Sequence, residues 1–138
     1  MKAIVIKQPF AGLILTKAKS EEFRSWRPPR AIFSEGISER FLIVAGKSPD
    51  PRMKGRSDMD GACYILGQAI ASARIEAVRQ PTPEMWIEPG CPSGYTGWAW
   101  KLVDVEKVPP FCVTGRLGFF EVEAPSHIMA QMAAAEPT

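Results

Sequence analysis

Residues 16 to 26 read Thr-Lys-Ala-Lys-Ser-Glu-Glu-Phe-Arg-Ser-Trp, and four side chains able to do chemistry, Lys19, Glu22, Arg24 and Trp26, fall within eight of those positions. The stretch begins at the end of a helix-like segment and runs into a strand-like one. A strand sends alternate side chains to opposite faces. With a start near Ser20, Glu22, Arg24 and Trp26 share one face, while Glu21 and Phe23 take the other. Lys19 lies at the bend, where alternation does not fix its direction, and it can curl over the carboxylate. A cation, an anion, a second cation and a flat ring side by side suit a polar, planar, partly anionic ligand such as a nucleotide. The same residues also describe a solvated cross-strand pair worth less than ~1 kcal/mol beside a core tryptophan. Pattern alone leaves both readings open.

Two chemistries follow if the cluster is a site. As a binding surface, Lys19, Arg24 and Lys47 would meet phosphate or carbonyl oxygens, and Trp26 would stack a base at ~1–3 kcal/mol. Arg27, Lys54 and Arg116 would extend the track along a backbone. As a metal-independent hydrolase, Lys19 and Glu22 are the obvious acid–base couple. On an amide, Lys19 would activate water or attack directly while Glu22 shuttles a proton; on RNA, the lysine would act around the 2′-hydroxyl. Arg24 would hold the developing negative charge. A third reading is a non-catalytic interaction module that recruits partners through Trp86 and Trp98, since loop aromatics also mark interfaces.

Composition excludes several alternatives. A chain of 138 residues, 46% hydrophobic and 23% charged, is long enough for one domain with a real core. A net charge of +2 permits nucleic-acid contact without demanding it, so any basic surface must come from local clustering. No apolar run is long enough to span a membrane, and the opening Met1–Lys7 run is too short for a signal peptide. Three widely spaced cysteines, Cys63, Cys91 and Cys112, argue against a disulfide framework or a Cys-x-x-Cys metal site and fit a reducing cytoplasm. The single histidine, His127, removes a multi-histidine metal centre, a two-histidine nuclease and, unless the tail folds back, a Ser-His-Asp triad. No metal and no cofactor are expected.

The elements that must position the cluster can be read in order. Ala3–Lys7 is apolar on both faces and therefore a central strand. Pro9 opens a short helix of about ten residues through Phe10, Leu13 and Ile14. Arg27-Pro28-Pro29-Arg30 is a stiff basic turn, and 31–38 is either a short helical or an irregular insert. Glu39–Lys47 is the next strand. The 48–60 loop is basic and almost without apolar residues; it either reaches over a ligand or is simply solvated. Residues 61–78 read as one long strand bent at Gly67, with Cys63 in its core. Gln68, beside that bend, either faces a polar pocket or satisfies its amide on backbone. A helical turn at 81–86, a strand over 98–106, a break at Pro109-Pro110, a tight turn at 114–118 and a last strand at 119–123 follow. Ser126 caps a final helix over 127–135. Short strands with one or two helices and Gly-marked bends favour a mixed, barrel-like sheet over a doubly wound α/β fold.

These stretches together resemble the ASCH domain family of the PUA-like superfamily. The family pattern G-x-K-x-x-E-x-R is similar to Lys17–Arg24, with Lys17 where glycine is usual. Ile6–Ala11 resembles its opening strand-Q-P-aromatic-A segment, and Arg24-Ser25-Trp26 the R-S-W of one branch. Leu42–Lys47 is similar to that branch's L-I-H-A-S-K, with Val44 for histidine and Gly46 for serine. Gly61–Ala71, Gly97–Trp100, Pro109-Pro110 and Gly115–Phe120 fit later segments, so the likeness spans about residues 2–123. The resemblance implies an α+β, PUA-like mixed β-barrel surrounded by a few short helices, over residues 1–124, with a C-terminal tail at 125–138. It further implies a cleft built from the K-x-x-E-x-R strand, an RNA or nucleotide ligand, and an activity of ribonuclease or acetylcytidine amidohydrolase type. Two departures bear on this. Lys17 replaces the glycine of the turn that aims Lys19, and Val44 removes a proton carrier.

Overall fold

The computed structural model describes residues 1–51, 61–87, 90–91 and 94–135. Six strands form one sheet: β1 (Lys2–Ile6), β2 (Glu21–Arg24), β3 (Phe41–Ala45), β4 (Gln68–Arg79), β5 (Trp98–Cys112) and β6 (Phe119–Glu121). Their order across the sheet is β2-β5-β4-β3-β1-β6. Only β1 and β3 run parallel; the other neighbours are antiparallel. Helices α1 (Phe10–Leu15) and α2 (Ser126–Ala135) and two single 3₁₀ turns, Gly61–Tyr64 and Pro83–Ile87, complete the described elements.

The sheet curls into a half-barrel because its ladders are repeatedly out of step. The β4–β5 register shifts three times, and β3–β4 once. Each extra residue bends its strand and increases the twist. At one shift, Asp104 and Val105 oppose the single Ala73. Asp104 takes φ 52° there, and its carbonyl accepts a bond from Arg40 Nη1 at 2.6 Å, which also donates to Ser72 Oγ at 3.0 Å. At another, Val108, Pro109 and Pro110 oppose the single Ile70. The expected break at the two prolines is therefore a bulge inside β5, which runs on to Cys112. A bulge leaves residues outside the ladder, so the missing proline N–H costs nothing there.

Residues 61–66 are likewise not strand. The buried side chain of Gln8 donates to the carbonyls of Ala62 and Ile65 at 2.7 and 2.8 Å and accepts the Gly12 N–H at 2.9 Å. Those bonds fold the segment into a 3₁₀ turn packed against α1. The approach is so close that a Cβ on Gly12 would lie 2.6 Å from the Cys63 backbone. Cys63 is buried as expected, but on this turn.

Both faces of β1 and β3 are covered, as their unbroken apolar runs require. Ile4, Ile6, Phe41 and Ile43 pack with Leu13, Ile14 and Trp100 on one side. Ala3, Leu42 and Val44 pack with Ile128 and Met132 of α2 on the other. The two ends of the strand row meet through aromatic rings. Trp100 stacks on Phe119 at 5.9 Å, and Trp26 sits edge-on to Trp100 at 5.1 Å and to Phe119 at 6.5 Å. This cluster bridges β5 to β6 without a hydrogen-bond ladder and leaves a cleft beside it.

Candidate functional site

The site begins where α1 ends. Lys17 adopts φ 68°, the left-handed conformation for which helices ordinarily use glycine. Its N–H bonds the Ile14 carbonyl, and the Lys19 N–H folds back to the Leu13 carbonyl, both at 3.0 Å. The turn expected of glycine is thus made by lysine, at a steric cost of ~1–2 kcal/mol. It delivers Lys19 inward just ahead of β2.

Lys19 is buried, its side chain 1% exposed. The ammonium donates to the Glu21 carbonyl, lies 3.8 Å from Glu22 Oε1, and sits over the rings of Phe23 and Phe10 at 4.4 and 5.6 Å. Carbonyl, carboxylate and two π faces form an environment suited to a cation. The other oxygen of Glu22 accepts from Arg24 Nε at 2.8 Å, and Arg24 Nη2 donates to the Val5 carbonyl at 2.6 Å. A chain of alternating charge therefore runs Lys19–Glu22–Arg24 and ends on the Val5 carbonyl, tying the edge strand β2 to β1. Glu21, also buried, pairs with Arg79 at 2.9 Å.

This chain forms one wall of a cleft of about 690 Å³, a size suited to a small organic ligand. The open ends of β1 and β3, Phe10 of α1 and the 113–118 loop make the rest. Among the described residues the lining holds five basic side chains, Lys7, Lys19, Arg24, Lys47 and Arg116, against two acidic ones, Glu22 and Asp50. Such an imbalance in a concave, partly apolar wall favours an anionic or strongly polar guest. Val44, at the position where the resembling branch carries histidine, borders the cleft but is 1% exposed and packs against α2.

The sequence-predicted residues divide. Lys19, Glu22, Arg24, Lys47 and Arg116 line the cleft together. Trp26 does not: it follows β2 and packs into the aromatic cluster. Arg27 lies over Trp98 at 4.8 Å, away from the lining. Gln68 is a ladder residue opposite Ala45 and Cys112 and is not part of the lining. Lys54 lies outside the described residues. Cys91 is buried, and Cys112 is exposed.

Lys7, Phe10, Phe23 and Asp50 line the cleft without having been singled out. Phe23 was expected on the face opposite Glu22. However, β2 is the terminal strand and the cleft follows its edge, so successive residues reach the same space. Tyr95 also belongs to this neighbourhood, edge-on to Phe23 at 6.3 Å. Burial pushes its phenol above the ordinary value; Cys91 and Glu22 add to the rise and Arg24 opposes it. Nothing in a Gly-rich loop signals such a partner.

Among the described residues no three His, Cys, Asp or Glu side chains converge as a metal site, and no helix is long and apolar enough to cross a membrane. No family model matches the sequence, and no curated protein matches it. Solved structures do. The ASCH protein of Zymomonas mobilis is 16% identical at a TM-score of 0.56, over 96% of this chain and 93% of its own. Two single-substitution variants of it align at TM-scores of 0.56 and 0.57 with the same 16% identity, covering 94% and 96% of their own chains. The α+β half-barrel seen here, with a cleft beside its aromatic seam, therefore has the ASCH domain fold of these structures.

Proposed function

We propose that this domain binds RNA by lodging one nucleotide in the cleft walled by Lys19, Glu22 and Arg24. The observation that carries the reading is the charge chain of buried Lys19, buried Glu22 and half-buried Arg24 set into a 690 Å³ hollow with a basic mouth. Holding such groups in place before the ligand arrives removes much of the ordering cost of binding. The rings of Phe10 and Phe23 give the cleft apolar surface beside the charges, as a nucleobase requires. Fluorescence anisotropy with a labelled single-stranded RNA of mixed sequence, over a range of salt, tests it. Binding should weaken linearly on a log–log plot, and Arg24→Gln should lose at least tenfold in affinity. No binding at 50 mM salt by wild-type protein would end the proposal.

One feature favours a hydrolytic extension of the same reading. The Lys19 ammonium and the Glu22 carboxylate, at 3.8 Å, are close enough to exchange a proton after a small shift, and Arg24 stands ready to stabilise an oxyanion. Incubating the protein with modified nucleosides and with mixed RNA, followed by mass spectrometry of the products, separates deacylation, strand scission and simple binding. Under this extension Lys19→Ala stays folded and yields no product, whereas full turnover in that variant removes Lys19 from the chemistry.

A further inference from the structure

The cleft is chemically divided, and the division specifies which part of a nucleotide goes where. At the inner end the cations already have acceptors. Lys19 is held by the Glu21 carbonyl and Glu22, and Arg24 by Glu22 and the Val5 carbonyl. Together they carry one positive charge in excess, in front of two aromatic rings. At the mouth the position is reversed. Lys47 and Arg116 are both exposed and line the same cleft, and among the described residues no carboxylate pairs with either.

These two side chains are also placed by close backbone packing. The stem of Lys47 lies across Gly67, where a Cβ would come within 3.3 Å of its Cγ and Cε. The loop that bears Arg116 is tied to the same glycine, since the Val113 N–H donates to the Gly67 carbonyl at 3.2 Å. Further along, the loop presses on β1 so tightly that a Cβ on Gly115 would sit 2.9 Å from Val5 Cγ2. Gly67 itself is at φ 68°, a conformation that favours glycine. One glycine thus anchors the stem of Lys47 and the start of the loop that carries Arg116, and both residues line the cleft.

We infer that Lys47 and Arg116 form a phosphate subsite at the mouth, so that the cleft takes a phosphorylated nucleotide with its base inward, in preference to a bare nucleoside. This rests on the nucleotide reading above. The phosphate in question is either a terminal monoester or the diester of an RNA chain; both present the same anionic oxygens to an ammonium and a guanidinium.

Isothermal titration of the wild-type protein with the four ribonucleosides, their 5′- and 3′-monophosphates and the corresponding dinucleotides tests it. Monophosphate should bind about tenfold or more tightly than the matching nucleoside at low salt. That ratio should fall toward one in the Lys47→Gln/Arg116→Gln double variant, whose folding circular dichroism checks. A gain with the monoester alone assigns a terminal phosphate, and an equal gain with the dinucleotide assigns an internal one. Equal affinities of wild-type protein for nucleoside and nucleotide overturn the subsite while leaving the nucleotide reading standing. A phosphate preference that survives the double variant overturns the assignment to these two residues. Failure to bind nucleoside, nucleotide or RNA removes both readings together.

Discussion

Replacing Glu22 by glutamine tests the charge chain at its centre. The carboxylate faces a lysine whose side chain is 1% exposed and is itself 9% exposed, at 3.8 Å. An effective dielectric constant of about 20 gives that pair ~4 kcal/mol of attraction, and removing one partner of a buried pair typically costs about 3–5 kcal/mol. Here the loss is reduced, because Lys19 keeps the Glu21 carbonyl and two ring faces and the new amide oxygen still accepts from Arg24. We expect Glu22→Gln to destabilise the fold by about 2–3 kcal/mol. For a chain of 138 residues the unfolding entropy of about 0.3 kcal/mol/K turns this into a Tm lower by about 7–10 °C. Urea unfolding followed by tryptophan fluorescence reads it, since Trp100 is buried in the core. The control is Lys19→Met combined with Glu22→Gln. With no stranded cation left, the pair should cost less than the sum of the single changes by about 2 kcal/mol. A cost below ~0.5 kcal/mol for the single variant, or strict additivity in the double, would show that the two groups are not coupled and that the wall is not built as described.

Three other outcomes follow from single positions. Lys17→Gly should raise stability by about 0.5–1 kcal/mol, because the left-handed strain relieved exceeds the chain entropy added; a lower Tm in a thermal melt would contradict the turn at φ 68°. Gly12→Ala should cost about 2 kcal/mol or more, since a Cβ 2.6 Å from the Cys63 backbone meets atoms that cannot rotate away; an unchanged urea midpoint would refute that packing. The Tyr95 phenol, raised above 10.0 by burial, then by Cys91 and Glu22, contributes stability that is complete below pH 10 and lost as pH climbs through the folded-state value. Stability measured from pH 9 to 11 should therefore fall less steeply in Tyr95→Phe than in wild type, and parallel curves would place the phenol in water.

Much of the cleft wall was legible because it is local. Lys19, Glu22 and Arg24 lie within six residues, and a bend followed by a strand leaves little choice about whether they meet. The two-sided apolar run of β1 was legible for a similar reason. Alternation places Trp26 beside Arg24, and its ring does lie 5.9 Å from that guanidinium, but β2 ends at Arg24 and the ring is not part of the cleft lining. Where the strand stops, the aromatic cluster claims the ring. The prolines of β5 and residues 61–66 depart from their local propensity because that propensity cannot report a bulge against Ile70 or the hold of Gln8 on two distant carbonyls.

What the chain determines by itself is therefore the short-range part. It sets a polar triad of cation, anion and cation, the strands buried on both faces, and a composition without the histidines or cysteine pairs of common metal sites. Tertiary structure decides the rest. It bends the sheet until β2 faces β1, lets Arg24 reach the Val5 carbonyl, and gathers Lys7, Lys47, Arg116 and Asp50 around one hollow. The physical reason is that a concavity belongs to no single element. It arises from accumulated register shifts and from close approaches at glycines, which are properties of neighbouring backbones rather than of any side-chain pattern along one of them.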